Sequence, residues 1–244
     1  MLSKRFCFRK AQPMTSGILY PCRIVSQFRR PTGFGGRCAT RVMNIMNRAQ
    51  YHRVLKELPL QGRILDIGFG NGNMLKRVLK KGCCSVYGTE ISESCMTAVE
   101  WKLLPSLQQG YLKLAMGSAE SLPFADACMD TVYSINTIYF WESLDKGLCE
   151  IARILKPQGT LLLAFYDKRF MSRLPLREYG FQLYDPKDVK AALKHNGYTS
   201  IEVHEVKKEN PIVFVQNAEM FRNVEHKAFV QFYTEEAITQ VIIR

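Results

Sequence analysis

The first 56 residues contain no aspartate and no glutamate, against 12 lysines and arginines (Lys4, Arg5, Arg9, Lys10, Arg23, Arg29, Arg30, Arg37, Arg41, Arg48, Arg53 and Lys56). The rest of the chain is balanced, so the net charge of +12 belongs to the N-terminal segment. Such a segment could steer an anionic partner (a phosphate, a nucleic acid or an acidic membrane surface) or form a solvated leader. A second methionine stands at 14, so residues 1–13 read as an early start or an organelle transit peptide.

Other absences narrow the function. No stretch approaches the 18 or so consecutive apolar residues of a membrane helix. The eight cysteines include no CxxC pair and no histidine at zinc spacing, so no metal site is expected. They read as reduced thiols of a cytoplasmic protein. A dinucleotide loop of the form G-x-G-x-x-G/A is also missing, because Asn73 stands where its last glycine or alanine belongs.

What stands there instead is Arg63-Ile64-Leu65-Asp66-Ile67-Gly68-Phe69-Gly70-Asn71-Gly72-Asn73. An apolar run carrying an acid meets three glycines at alternate positions. Met74, Leu75, Val78 and Leu79 then recur at helical spacing. Strand, glycine loop and helix make a turn that lets a ligand approach the main chain and offers it free N–H groups.

Upstream, Pro13, Pro21, Pro31, Gly33, Gly35 and Gly36 mark residues 1–37 as an irregular extension. Val42, Ile45, Met46, Ala49, Val54, Leu55 and Leu58 predict an amphipathic cap helix over 38–58. Further strands are expected at 84–90, 111–116, 129–135 and 160–165, with helices from Ser92 to about 102 and over 143–155. A last helix opens at Asp185-Pro186, and strands at 200–206 and 212–216 close the domain as a hairpin. The domain spans 59–217. Residues 218–244 form an extension, with a strand at 228–233 or a helix at 234–243.

Strands alternating with helices predict an α/β fold with a doubly wound, mostly parallel sheet of seven strands, antiparallel closing strands and an N-terminal helical cap. Ligands of such sheets sit beyond the carboxyl ends of the strands. That rule gathers the loops at 68–73, 90–92, 117–120 and 136–141. Glu90, about 20 residues past the glycine loop, can accept hydrogen bonds from two ribose hydroxyls. Asp66 inside its strand needs a partner, either the loop amides, a cationic ligand group or a structural network.

These stretches resemble class I S-adenosylmethionine-dependent methyltransferases, in the type 11 or ubiquinone/menaquinone-biosynthesis-like branch. The resemblance covers about residues 60–200. It is carried by Ile64 to Gly72, Glu90, Gly117-Ser118-Ala119-Glu120-Ser121-Leu122-Pro123-Phe124 with Met129-Asp130-Thr131-Val132, and Glu150 to Gly159. It implies S-adenosylmethionine as cofactor and a Rossmann-like fold. Gly68, Gly70 and Gly72 would lie against the methionine moiety, with Asp66 holding that loop and the amino group. Glu90, with Ile91 beside it, would bind the ribose. Ser118, Ala119 and Glu120 would meet the adenine, although the family usually has Asp where Ser118 stands. Gln158 also departs, from Gly. Asn136 would face the methyl-transfer centre; Tyr139, Phe140 and Trp141 could wall an acceptor pocket, Tyr139 and Trp141 foremost, hold a cation over a ring, or equally be core under the N-terminal helix. His195 and His204 read as surface residues.

The expected activity is methyl transfer to a small-molecule acceptor by in-line displacement, a matter mainly of positioning. A nucleic-acid-directed methyltransferase or binder using the basic segment is the alternative, though Asn136-Thr137-Ile138-Tyr139 is no Asn-Pro-Pro-Tyr motif. An NAD-dependent oxidoreductase and a cofactor-free partner protein are weaker readings.

Overall fold

The computed structural model describes Asn44 and residues 47–82, 85–172, 177 and 180–206, with the strands at 212–216 and 227–232 described by their backbone. The basic extension at 1–37, the first part of the cap helix, and the helix considered at 234–243 lie outside the described residues, and so does the ground for a nucleic-acid reading.

Helix α1 (Arg48–Glu57) is the described part of the cap. Then β1 (Arg63–Ile67) runs through the glycine loop into α2 (Asn73–Leu79). Next come β2 (Ser85–Glu90), α3 (Glu93–Lys102), a short α4 (Leu104–Gln108) that sequence periodicity did not suggest, and β3 (Leu112–Met116). The chain then crosses to β4 (Met129–Ile135), a 3-10 turn (Ile138–Phe140), α5 (Leu144–Ile154) and β5 (Leu155–Phe165). A single turn, α6 (Lys168–Met171), and α7 (Pro186–His195) precede β6 (Ser200–Val206), β7 (Ile212–Gln216) and β8 (Lys227–Phe232).

Local chemistry sets several of these boundaries. The side chains of Ser92, Ser143 and Asp185 cap α3, α5 and α7 by accepting backbone N–H bonds from Cys95, Lys146 and Lys187. Pro186 fits the first turn of α7, where its missing N–H costs nothing.

Five strands form a parallel sheet in the order β3-β2-β1-β4-β5, the expected α/β Rossmann-like arrangement. Beyond β5 the order continues β7-β6-β8, which makes eight strands where seven were expected. The addition is β8, whose backbone pairs parallel to β6. β7 runs antiparallel to both β5 and β6.

Alternating side chains give the sheet two apolar faces. Leu65, Ile67, Val132, Leu161 and Leu163 pack with α5 and α7 on one. Ile64, Val86, Tyr133, Leu162 and Ala164 pack with α1, α2 and α3 on the other. The chain leaves β1 toward β3 and returns on the far side at β4. A crevice therefore opens above the carboxyl ends of β1 and β4, where such sheets bind ligands. Among the described residues no helix is long and apolar enough to cross a membrane.

Candidate active site

A pocket occupies that crevice, lined by the glycine loop, the ends of β2, β3 and β4, and α1. Gly68, Gly70 and Gly72 have φ of +73°, +53° and +68°, a left-handed conformation that favours glycine. Their roles differ. A Cβ on Gly70 would meet no atom within 4 Å, so its backbone faces open space in the pocket wall. A Cβ on Gly72 would stand 2.9 Å from both methyl groups of Val99, and Gly72 is not in the pocket lining. Gly72 lets α2 start against α3.

Glu90 ends β2 and is almost fully buried. One carboxylate oxygen, Oε2, accepts the Gly70 N–H at 2.8 Å. The other, Oε1, accepts the N–H groups of Ile91 at 2.9 Å and Ser92 at 3.0 Å. The acid is thus held against the loop. Ile91 beside it is exposed and lines the pocket.

Asp66 does not hold the glycine loop. The Gly68 and Phe69 N–H groups bond to the Thr89 carbonyl instead, at 2.8 and 3.3 Å. Asp66 pairs in register with Tyr133 across the β1–β4 ladder and accepts its hydroxyl proton at 2.9 Å. It is 3 % exposed and outside the pocket lining. Burial pushes its carboxyl up to about 8, against the pull of the Tyr133 hydrogen bond, and Glu90 pushes it further.

Gly117, Ser118, Ala119 and Glu120 follow β3 and line the opposite wall. Glu120 accepts the backbone N–H of Glu142 at 2.6 Å and that of Ser143 at 3.4 Å, tying this loop to the one after β4. Behind the wall, Glu150 accepts the Leu122 N–H while Arg153 donates to the Leu122 and Phe124 carbonyls. Arg153 also pairs with Glu150 and Asp126.

Asn136 follows β4 at φ 59°, a conformation asparagine tolerates better than most residues. Its side chain lines the pocket beside Thr137, Phe140 and Trp141. Trp141 donates its indole N–H to Thr137 Oγ1 at 3.1 Å. Tyr139 is no pocket wall. Its ring is buried among Phe140 and Phe181, and its hydroxyl takes the Tyr166 N–H and reaches Asn136 Oδ1 at 3.3 Å. Burial holds this phenol well above its ordinary range. Phe140, the next residue, lines the pocket instead.

Sequence reasoning set the helix at 38–58 over the pocket but named none of its side chains there. Asn47 and Tyr51 line the pocket, and the fully buried Gln50 exchanges two hydrogen bonds with the Asn136 amide. The signal was present: residues 47, 50, 51 and 54 share the face that carries the buried Val54, so polar residues there must have internal partners. His195 is exposed at the end of α7, and His204 is paired with Glu202; neither lines the pocket.

Among the described residues lining the pocket, the carboxylates are Glu90 and Glu120, and both accept backbone N–H groups. Among the described residues no group of three or more histidines, cysteines or acids could hold a metal ion. What the arrangement offers is an open main-chain cradle at Gly70, a fixed acid beside it and an apolar platform at Ile91. These residues fit an adenosyl group with an amino-acid tail.

Residues 65–163 match the family described as methyltransferase domain. The chain is 28% identical over 142 residues to an uncharacterized methyltransferase, YdaC, of Bacillus subtilis, which covers 57% of this chain and 73% of that protein. It is 31% identical over 153 residues to the ubiquinone/menaquinone biosynthesis C-methyltransferase UbiE of Laribacter hongkongensis. That match covers 58% of this chain and 61% of UbiE, so the chain spans less than two thirds of that relative's length. Among solved structures, a SAM dependent methyltransferase from Aquifex aeolicus shares the fold, with a TM-score of 0.56 and 22% identity over 68% of this chain and 92% of that one. The loop order, the pocket and these matches agree: residues 65–163 are similar to methyltransferase domains, and the parallel sheet is shared with a solved SAM dependent methyltransferase.

Proposed function

We propose that the chain binds S-adenosylmethionine in the described pocket and passes its methyl group to a small-molecule acceptor. The observation that carries this reading is the meeting of Gly70, Glu90 and Asn136, from the ends of three different strands, in one pocket lining. In this reading Gly68 and Gly70 face the methionine moiety, Glu90 takes the ribose hydroxyls and Ile91 packs on the adenine. Ser118, Ala119 and Glu120 surround the base edge. Ser118 brings no charge, so its hydroxyl and the local backbone do the recognising. Asn136 faces the transfer centre. Asp66 and Gly72 support the loop from behind.

S-adenosylmethionine supplies a sulfonium methyl already activated toward a nucleophile. The residues then need only orient the acceptor and exclude water. Phe140, Trp141 and Ile135 supply an apolar acceptor side, and Asn136 and Asn47 supply neutral hydrogen-bonding groups. Gln182, whose backbone bonds Tyr139 and whose side chain bonds the Trp141 carbonyl, straps part of the 168–185 segment over this side. The domain is taken as residues 59–217 with α1 as its cap. The free thiols of Cys95, Cys128 and Cys149 suit a reducing compartment such as the cytoplasm.

Calorimetry with S-adenosylmethionine, S-adenosylhomocysteine and NAD tests the reading. Heat with the first two and none with NAD is the expected result. A folded protein that binds neither adenosyl compound would sink it, and binding of NAD alone would favour an oxidoreductase.

A further inference from the structure

Trp141 is held in the pocket wall from three sides. Its indole N–H donates to Thr137 Oγ1 at 3.1 Å. Its backbone carbonyl accepts the Gln182 side-chain N–H at 2.9 Å. Its ring lies on α5 at Gly147, where a Cβ would stand 2.6 Å from Cε3 and 3.0 Å from Cζ3. Glycine is unfavourable inside a helix, and here it leaves the room that the ring takes. Behind Trp141 the Thr137 hydroxyl meets the Ser134 hydroxyl, and Ser134 Oγ donates to the Ile67 carbonyl at 3.1 Å. The two ends of this chain of bonds fix its direction. An indole N–H only donates, and a carbonyl only accepts. The protons therefore run from Trp141 to Thr137, from Thr137 to Ser134, and from Ser134 to Ile67, the last residue before Gly68. The methyl of Thr137 also abuts the glycine loop, since a Cβ on Gly68 would stand 2.5 Å from Thr137 Cγ2.

We propose that Thr137 is a positioning residue that registers the Trp141 wall of the pocket against the cofactor loop. The inference rests on the cofactor reading above. The Thr137 hydroxyl takes the indole proton and gives its own to Ser134, so it acts through these neighbours. One end of the relay sets the ring in the wall, and the other holds the strand end from which the glycine loop starts. Ser134 and Trp141 are both buried. Cutting a link therefore leaves a donor or acceptor unpaired away from water, and the wall or the loop must shift to pair it again.

The test pairs calorimetry with S-adenosylhomocysteine and acrylamide quenching of Trp141 fluorescence. The chain has two tryptophans, and Trp101→Phe in every protein, parent included, removes the exposed one. Thr137→Val keeps the shape and the methyl group but breaks both links. It should weaken Kd about fivefold, the equivalent of one net hydrogen bond, and make Trp141 easier to quench. Ser134→Ala cuts only the link to β1. It should weaken Kd to the same extent while Trp141 stays as protected as in the parent, because Thr137 still has a lone pair for the indole. Thr137→Ser keeps both links, so both readings should stay at the parent values. A merely structural contribution would lower the melting temperatures without separating Kd from quenching in this way. Should Thr137→Val unfold, Ser134→Ala and Thr137→Ser carry the test.

Parent Kd and parent quenching in a folded Thr137→Val protein would overturn the relay. So would a parent Kd in Ser134→Ala, or a Thr137→Ser protein that binds as weakly as Thr137→Val. A folded parent that gives no calorimetric heat with S-adenosylhomocysteine overturns the cofactor reading, and the role of Thr137 with it.

Discussion

Glu90 Oε2 accepts the Gly70 N–H at 2.8 Å, which joins the acid at the end of β2 to the loop at the end of β1. In the proposed function the same carboxylate that holds the loop also takes the ribose hydroxyls. Glu90→Gln keeps the shape but offers only one acceptor atom, so either Gly70 or the Ile91–Ser92 turn loses its bond. Hydrogen bonds to charged groups are worth about 1.5–3 kcal/mol, so S-adenosylmethionine affinity should fall by about 10- to 100-fold. Calorimetry measures this, and an unchanged Kd would show that the acid serves the loop alone.

Gly70 and Gly72 separate binding from folding. Gly70→Val projects a side chain where no atom lies within 4 Å, into the cradle, and S-adenosylhomocysteine binding should disappear. Gly72→Ala drives a Cβ to 2.9 Å from Val99 at φ +68°. It should lower unfolding free energy by about 2 kcal/mol, the sum of left-handed strain and repacking, as read from urea midpoints. If Gly70→Val bound the ligand normally, the cradle would lie elsewhere.

The glycine loop, Glu90 and the helix caps were legible because each depends on neighbours in sequence. Ser92, Ser143 and Asp185 announce their helices within three residues. Asp66 was only half legible. A buried acid signals a partner, but the partner, Tyr133, is 67 residues away and is chosen by the β1–β4 register. Tyr139, Phe140 and Trp141 could not be told apart in sequence because they lie on and beside a 3-10 turn. Which of three adjacent rings turns inward depends on Tyr166 and Phe181, which no local period encodes. Gln50 was missed because the cap was read by its apolar residues, while its buried amide answers Asn136 across 86 residues. The eighth strand, Lys227–Phe232, falls where the sequence allowed a strand at 228–233, though it was not counted in the sheet.

Arg153 braces the 117–120 wall of the pocket from behind, through the Leu122 and Phe124 carbonyls and its pairs with Glu150 and Asp126. Arg153→Ala should leave the sheet intact and loosen residues 117–128. Each lost carbonyl bond counts about 1 kcal/mol, so amide exchange in that loop should quicken by about 5- to 30-fold. Hydrogen exchange read by mass spectrometry checks it. Equal quickening in β1 and β4 would mean global destabilisation and not a loop brace.

The most direct test of Asp66 uses pH. Its folded carboxyl is raised to about 8 by burial, from an ordinary value of 3.8. The unfolded chain gives up this proton near pH 4, while the folded chain keeps it until about pH 8. Folding then retains a proton the unfolded state has lost, so the stabilising effect is complete below about pH 4 and drains away as pH rises to about 8. The slope can reach about 1.4 kcal/mol per pH unit. Asp66→Asn cannot ionise and still accepts the Tyr133 hydroxyl. Its urea midpoint should therefore hold steady from pH 5 to pH 8 at this site while that of the parent falls. Parallel curves for the two proteins would mean that Asp66 is ionised in the folded state, and would restore it as a candidate anion for the cofactor's amino group.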